Sequence, residues 1–153
     1  MTRSTAREIA VHLIYAMECS GATADEVLAE RLDEAYFALL SEESEVYAET
    51  PKGKQRSYVE AVVRGVAEKQ AELDAQIEAL SERWSLNRIS SLARAILELA
   101  MYEARWVDDV PMNVAIHEAV LLAKKYEEAE TVGYVNGVLG AFSRKAEADG
   151  APC

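Results

Sequence analysis

Two histidines, two cysteines and 27 carboxylates are the groups with which this 153-residue chain could do chemistry. Their spacing rules out the common arrangements. His117 is followed by Glu118 but has no second histidine at i+4, so the helical zinc pair is missing, and His12 stands alone in another apolar stretch. Cys19 and Cys153 make neither a C-x-x-C pair nor a disulfide framework, which fits a reducing, cytoplasmic setting. No G-x-S-x-G, phosphate-binding loop or G-x-G-x-x-G occurs. Nothing brings a nucleophile, a base and an oxyanion donor together. The chain is therefore expected to bind rather than to catalyse, with no cofactor and no metal.

The polar group hardest to place is Asn136, in 132-VGYVNGVLGAF-142. Asn-Gly between apolar residues is a strong hairpin signal, because both residues tolerate positive φ. Yet Val135, Val138, Leu139 and Phe142 recur at i, i+3, i+4 and i+7, the stripe of a helix. A hairpin here would be the only strand pair in the chain, and an isolated hairpin is marginal. The helical reading is adopted. Gly137 then costs about 1 kcal/mol relative to alanine, and close approach of a neighbouring helix is the expected compensation.

The elements that must position these groups are helical throughout. Ile9, Leu13 and Met17 stripe a first helix over 3–18, with Ser4 or Thr5 as its cap and Gly21 closing it. A second is expected over 23–40. The polar stretch 41–56, with Pro51 and Gly53, reads as a loop ending in Lys52, Lys54 and Arg56. Further helices follow over about 57–83 (continuing its stripe to Trp84), over 88–104, and from Pro111 to about Tyr126, with Asp108 and Asp109 near the positive end of that last one. The Asn-Gly helix closes the chain, and 144–153 reads as a frayed tail. The fold class is all-α, about six to seven helices in two packed sub-bundles forming a single domain over 1–143. No apolar run reaches the ~18 residues of a membrane span.

The net charge of −11 is uneven. Residues 18–50 set ten acids against Arg31, for −9, whereas 51–153 carry only −3. Local field matters more than the total for a partner that touches one face. The charge permits RNA binding without pointing to it.

Four blocks, taken in order, are more specific: 6-AREIAVHLIYAMECSG-21, 94-RAILELAMYE-103, 111-PMNVAIHEAVLLAKKY-126 and 134-YVNGVLGAF-142. Together they resemble the NusB family of bacterial transcription antitermination factors. The resemblance implies an all-α fold of two small bundles and a role in binding the boxA element of nascent ribosomal RNA. It implies as partners the small-subunit ribosomal protein NusE and, in a larger complex, NusA, NusG and RNA polymerase. It assigns RNA contacts to Arg3, Arg7 and Tyr15 in the first helix and to Tyr134 and Asn136 in the last, with Lys124 and Lys125 in reach of phosphates. An aromatic ring can stack on an unpaired base, and an asparagine can both donate to and accept from one. Each also has an ordinary structural reading: Tyr134 as rim of the core, Asn136 as a bond between helices, the lysines as solvated surface. About four phosphate contacts on single-stranded RNA would give a log–log salt slope near −3.

Two positions depart from the family pattern. His117 stands where asparagine is common and is expected to be a core histidine. Ala93 stands where many members have an acid, removing one potential salt link to the protein partner. Ser91, Arg94 and Glu98 are expected to face outward from helix 88–104 as a partner surface. The first and last helices are expected to form one docking strip. Two other readings are weighed against this one: a helical module or homodimer that binds protein alone, and an RNA-targeting domain associated with a ribosomal RNA methyltransferase. The latter would need an α/β cofactor domain that this sequence does not contain.

Overall fold

The computed structural model describes residues 1–81 and 89–149, and Trp84 lies outside them. Among the described residues the regular structure is helical: α1 (Arg3–Ser20), α2 (Ala24–Arg31), α3 (Glu34–Leu40), a 3-10 turn (Glu45–Tyr47), α4 (Gly53–Leu80), α5 (Ser91–Trp106), α6 (Met112–Tyr126) and α7 (Ala129–Ala148). The chain divides into two compact units, Met1–Glu68 and Lys69–Cys153, with α4 running through the boundary. No described helix is long and apolar enough to cross a membrane.

In the first unit α1 is the central helix. Ile9, Leu13 and Met17 are buried as their stripe requires, but so are Ala6, Ala10, Val11 and Ile14. A helix apolar on most of its circumference is one that others surround, and α2 and the 3-10 turn pack against it. Thr2, rather than Ser4 or Thr5, is its N-cap, accepting from the Thr5 amide at 3.1 Å. Gly21 closes it at φ 74° and donates its amide to the Met17 carbonyl at 2.9 Å. That left-handed conformation is the one glycine adopts without strain.

The single helix expected over 23–40 is two. Leu32 leaves helical geometry at φ −90° and ψ 52°, and the Asp33 carboxylate then caps α3 by accepting from the Tyr36 amide at 3.0 Å. An aspartate competes with the helix for amide protons and so favours a new start over continuation. Within the expected loop, Val46 is buried on the 3-10 turn, and α4 already begins at Gly53.

In the second unit the central element is α5. Ala93 and the run from Ala95 to Met101 are buried, and α5 packs on both α6 and α7, which also pack on each other. The Ser90 hydroxyl caps α5 through the Ala93 amide at 3.0 Å. Pro111 stands at the N-cap of α6, one position before the first turn. The stretch with Asn-Gly is helix, with Val135, Val138, Leu139 and Phe142 buried as the periodicity demanded. The helix then continues through Ser143 to Ala148, so the sequence read as tail begins in helical conformation.

Candidate nucleic-acid and partner interface

The candidate residues fall on both units. In the first, Arg3 opens α1, and its Nε donates to Gln55 Oε1 at 2.8 Å while its guanidinium lies 4.1 Å from the centre of the Tyr58 ring. It stays half-exposed. Arg7, one turn on, is only 5 % exposed, with its guanidinium 5.9 Å from the same ring. The RNA role expected of Arg7 calls for a solvent-facing guanidinium, and the structure places the side chain inside the first unit instead. A guanidinium near an aromatic face adds packing as well as charge there. Tyr15 is the opposite case, 41 % exposed on the outer side of α1. A hydrogen bond to Cys19, one turn away, is the main cause that raises the Tyr15 hydroxyl above its ordinary pKa.

In the second unit, Lys124 and Lys125 occupy the last turn of α6, both exposed, where cations offset the negative end of the helix dipole. The Lys125 ammonium sits 5.4 Å from the Tyr126 ring centre. Ser90 donates from its hydroxyl to Glu127 Oε1, fastening the start of α5 to the end of α6.

On α7 the two candidates separate. Tyr134 is 9 % exposed and its hydroxyl shares a 2.6 Å hydrogen bond with Ser81 Oγ. Its ring belongs to the core, the ordinary structural reading of this residue, rather than standing free for a base. Asn136 is exposed, as are Gly133 and Gly137, one turn apart on the same side of the helix. The expected reason for Gly137 also falls, since a Cβ built there meets nothing within 4 Å. Among the described residues no packing calls for glycine at this position.

The partner surface proposed on α5 is reduced. Ser91 and Arg94 are half-exposed, but Glu98 is wholly buried, with Gln70 Nε2 donating to its Oε2 at 3.2 Å. The outward face expected for Glu98 is corrected: the middle of α5 is covered by its neighbours, so Glu98 and Glu103 are internal. His117, expected in the core, is exposed on α6.

A feature not foreseen in the sequence is a cavity of about 650 Å³ in the second unit, lined among others by Glu72, Gln76, Arg105, Phe142 and Lys145. Arg105 closes one side of it, bonded to Glu72 at 3.2 Å and Gln76 at 3.3 Å, with its guanidinium 4.1 Å from the Trp106 ring centre. The i, i+4 spacing of Glu72 and Gln76 on α4 was the available signal. Because the cation is matched by a carboxylate, the cavity presents little net charge. Among the described residues no group of three His, Cys, Asp or Glu side chains could hold a metal ion.

Comparison with known proteins follows the same line. Residues 4–144 match the NusB family. The chain is 34 % identical over 144 residues to the transcription antitermination protein NusB of Thermoanaerobacter sp. (strain X514), covering 94 % of this chain and 91 % of that one. It is 40 % identical over 140 residues to that of Acetivibrio thermocellus, covering 92 % and 87 %. Among solved structures, T. maritima NusB superposes with TM-score 0.77 at 28 % identity, over 95 % of this chain and 92 % of that one. A complex of the antitermination factors NusB and NusE with double-stranded RNA contains a chain matching at TM-score 0.73 and 24 % identity, over 94 % of this chain and 96 % of that one, a likeness of fold.

Proposed function

The chain belongs to the NusB family, and from that membership we propose that it is a non-catalytic transcription antitermination factor. It binds boxA-type single-stranded RNA of ribosomal RNA transcripts together with NusE, in the cytoplasm, within an assembly that includes NusA, NusG and RNA polymerase. The match over 4–144 carries this reading. The names of the relatives support antitermination, and the solved NusB–NusE–RNA complex supports the choice of partners.

The residues suited to RNA are those whose polar ends reach solvent. Lys124 and Lys125 offer charge to phosphates, and Asn136 offers both a donor and an acceptor from a helix face floored by glycine. Arg3 and Tyr15 offer a cation and a ring from α1. With Arg7 withdrawn, three cations remain, and the log–log salt slope for single-stranded RNA falls to about −2 rather than −3. Ser91 and Arg94 at the start of α5 are assigned to the protein partner.

A gel-shift titration with boxA RNA and a scrambled RNA of equal composition, each with and without NusE, tests the reading. Preference for boxA that increases with NusE is expected. Equal affinity for the scramble under both conditions would overturn it.

A further inference from the structure

Most cations of the first unit already have a carboxylate. The N-terminal ammonium, Arg31, Lys52, Arg56 and Arg64 lie 2.9–3.8 Å from Glu49, Glu30, Glu34, Glu60 and Asp25 respectively, and Arg7 is buried. Arg3 and Lys54 are different. Among the described residues neither has a carboxylate within ion-pair distance, and the side-chain partners of Arg3, Gln55 and Tyr58, are uncharged.

These two cations converge on one place. Arg3 reaches across from α1 to the first turns of α4, with Nε on Gln55 at 2.8 Å and the guanidinium 4.1 Å from the Tyr58 ring centre. Lys54 is next to Gln55 and one turn before Tyr58, so it shares the face of α4 on which Arg3 lies. Lys54 is exposed and Arg3 half-exposed. The sequence grouped Lys52, Lys54 and Arg56 as one basic stretch, and the fold sorts them. Lys52 turns to Glu34, and Arg56 turns to Glu60 and, at 3.4 Å, to the Leu32 carbonyl. Lys54 is left for Arg3. The first turn of α4 carries no acid, so the positive end of the helix adds to the same field.

We propose that Arg3 and Lys54 grip a single phosphate of the RNA, with Gln55 and Tyr58 as positioning residues for the arginine. The inference rests on the RNA-binding reading above and adds Lys54 to its surface. A phosphodiester has two non-bridging oxygens, one for each cation. With Nε engaged by Gln55, the two terminal nitrogens of Arg3 remain to donate. Tyr58 holds the flat guanidinium in place, which lowers the entropy lost when the phosphate arrives. In a chain of net charge −11, two cations without carboxylates at one spot form a local reversal of sign, the condition for meeting a polyanion. Because both act on one phosphate, the number of phosphates contacted stays at three and the salt slope stays near −2.

The test is a titration of labelled boxA RNA and of scrambled RNA with the whole chain, with and without NusE, over a salt series. Circular dichroism checks folding. A wild type with no preference for boxA overturns the RNA-binding reading and this inference together. With that preference present, Lys54→Gln is expected to weaken boxA and scramble alike, by about threefold to tenfold, because a phosphate carries no sequence. Lys54→Arg is expected to restore binding. Lys54→Gln or Arg3→Gln singly leaves one cation on the phosphate, so the salt slope is expected to stay near −2, whereas the double variant is expected to fall to about −1.4. Gln55→Leu is expected to weaken binding in the wild type and to add nothing to Arg3→Gln. The inference by itself is overturned if Lys54→Gln binds boxA as the wild type does. It is also overturned by a double-variant slope near −0.7, which puts the two cations on separate phosphates. A Lys54→Gln variant that loses NusE while binding RNA unchanged in its absence overturns it too, and gives Lys54 to the protein partner.

Discussion

Tyr134 and Asn136 are two residues apart on one helix, and that spacing decides what each can do. Two residues is a rotation of about 200°, so a helix that buries one exposes the other. Tyr134 accordingly lies in the core with its hydroxyl on Ser81, while Asn136 reaches solvent. Tyr134→Phe removes one partner of that hydrogen bond and is expected to cost about 1 kcal/mol. Tyr134→Ala also leaves a cavity and is expected to cost about 3–5 kcal/mol. Urea unfolding measures both, and a Tyr134→Ala variant as stable as wild type would return the ring to the surface. Asn136→Ala is expected instead to leave stability within about 0.5 kcal/mol and to weaken boxA binding in the titration above. The two arginines of α1 divide for a similar reason. The family resemblance assigns both to RNA, but the Tyr58 ring on α4 that engages both guanidiniums comes from a distant part of the sequence. No local pattern in residues 1–21 shows that Arg7 is covered.

At the scale of elements, helical periodicity placed α1, α4, α5 and α6 within a few residues of their observed spans and found α7 but ended it some five residues early, where its apolar stripe stops at Phe142. It missed the break between α2 and α3. Apolar spacing runs across Leu32 and Asp33 without a fault, and only the Asp33 side chain, accepting from the Tyr36 amide, makes a new start there. It also missed that α1 and α5 are central, since a stripe says which face is buried and not whether other helices cover the remainder. Capping gives this scale its tests. Thr23 and Glu26 form a reciprocal box at the start of α2, at 3.2 and 3.1 Å. Thr23→Ala is expected to cost about 1 kcal/mol. The hydrogen bond from the Thr23 amide holds the Glu26 carboxyl below its ordinary pKa. Its contribution is therefore present above the ordinary carboxylate range and is lost as pH falls through the lowered value. Glu26→Gln is expected to flatten that part of the acid limb in pH-dependent urea unfolding. On α7, Gly137→Ala meets no neighbour among the described residues and is expected to raise stability by about 0.5–1 kcal/mol. If an RNA backbone lies against that face, the same change lowers RNA affinity. A gain in stability with unchanged affinity would leave the glycine without a binding role.

For the whole molecule, the question is how so acidic a chain meets a polyanion. Part of the negative charge of 18–50 is already paired within the first unit. The N-terminal ammonium lies 2.9 Å from Glu49, Arg64 lies 2.9 Å from Asp25, and Lys52 lies 3.7 Å from Glu34. These exposed pairs add little stability, but they mute the field that RNA would feel. The exposed lysines in the last turn of α6 then offer that polyanion two cations side by side. Lys124→Ala with Lys125→Ala is expected to remove two of the three phosphate contacts, weakening boxA binding and flattening the log–log salt slope from about −2 to about −0.7. Because both side chains reach solvent, urea unfolding is expected to change by no more than about 1 kcal/mol. A salt slope that stays near −2 in the double variant would remove both lysines from the RNA surface.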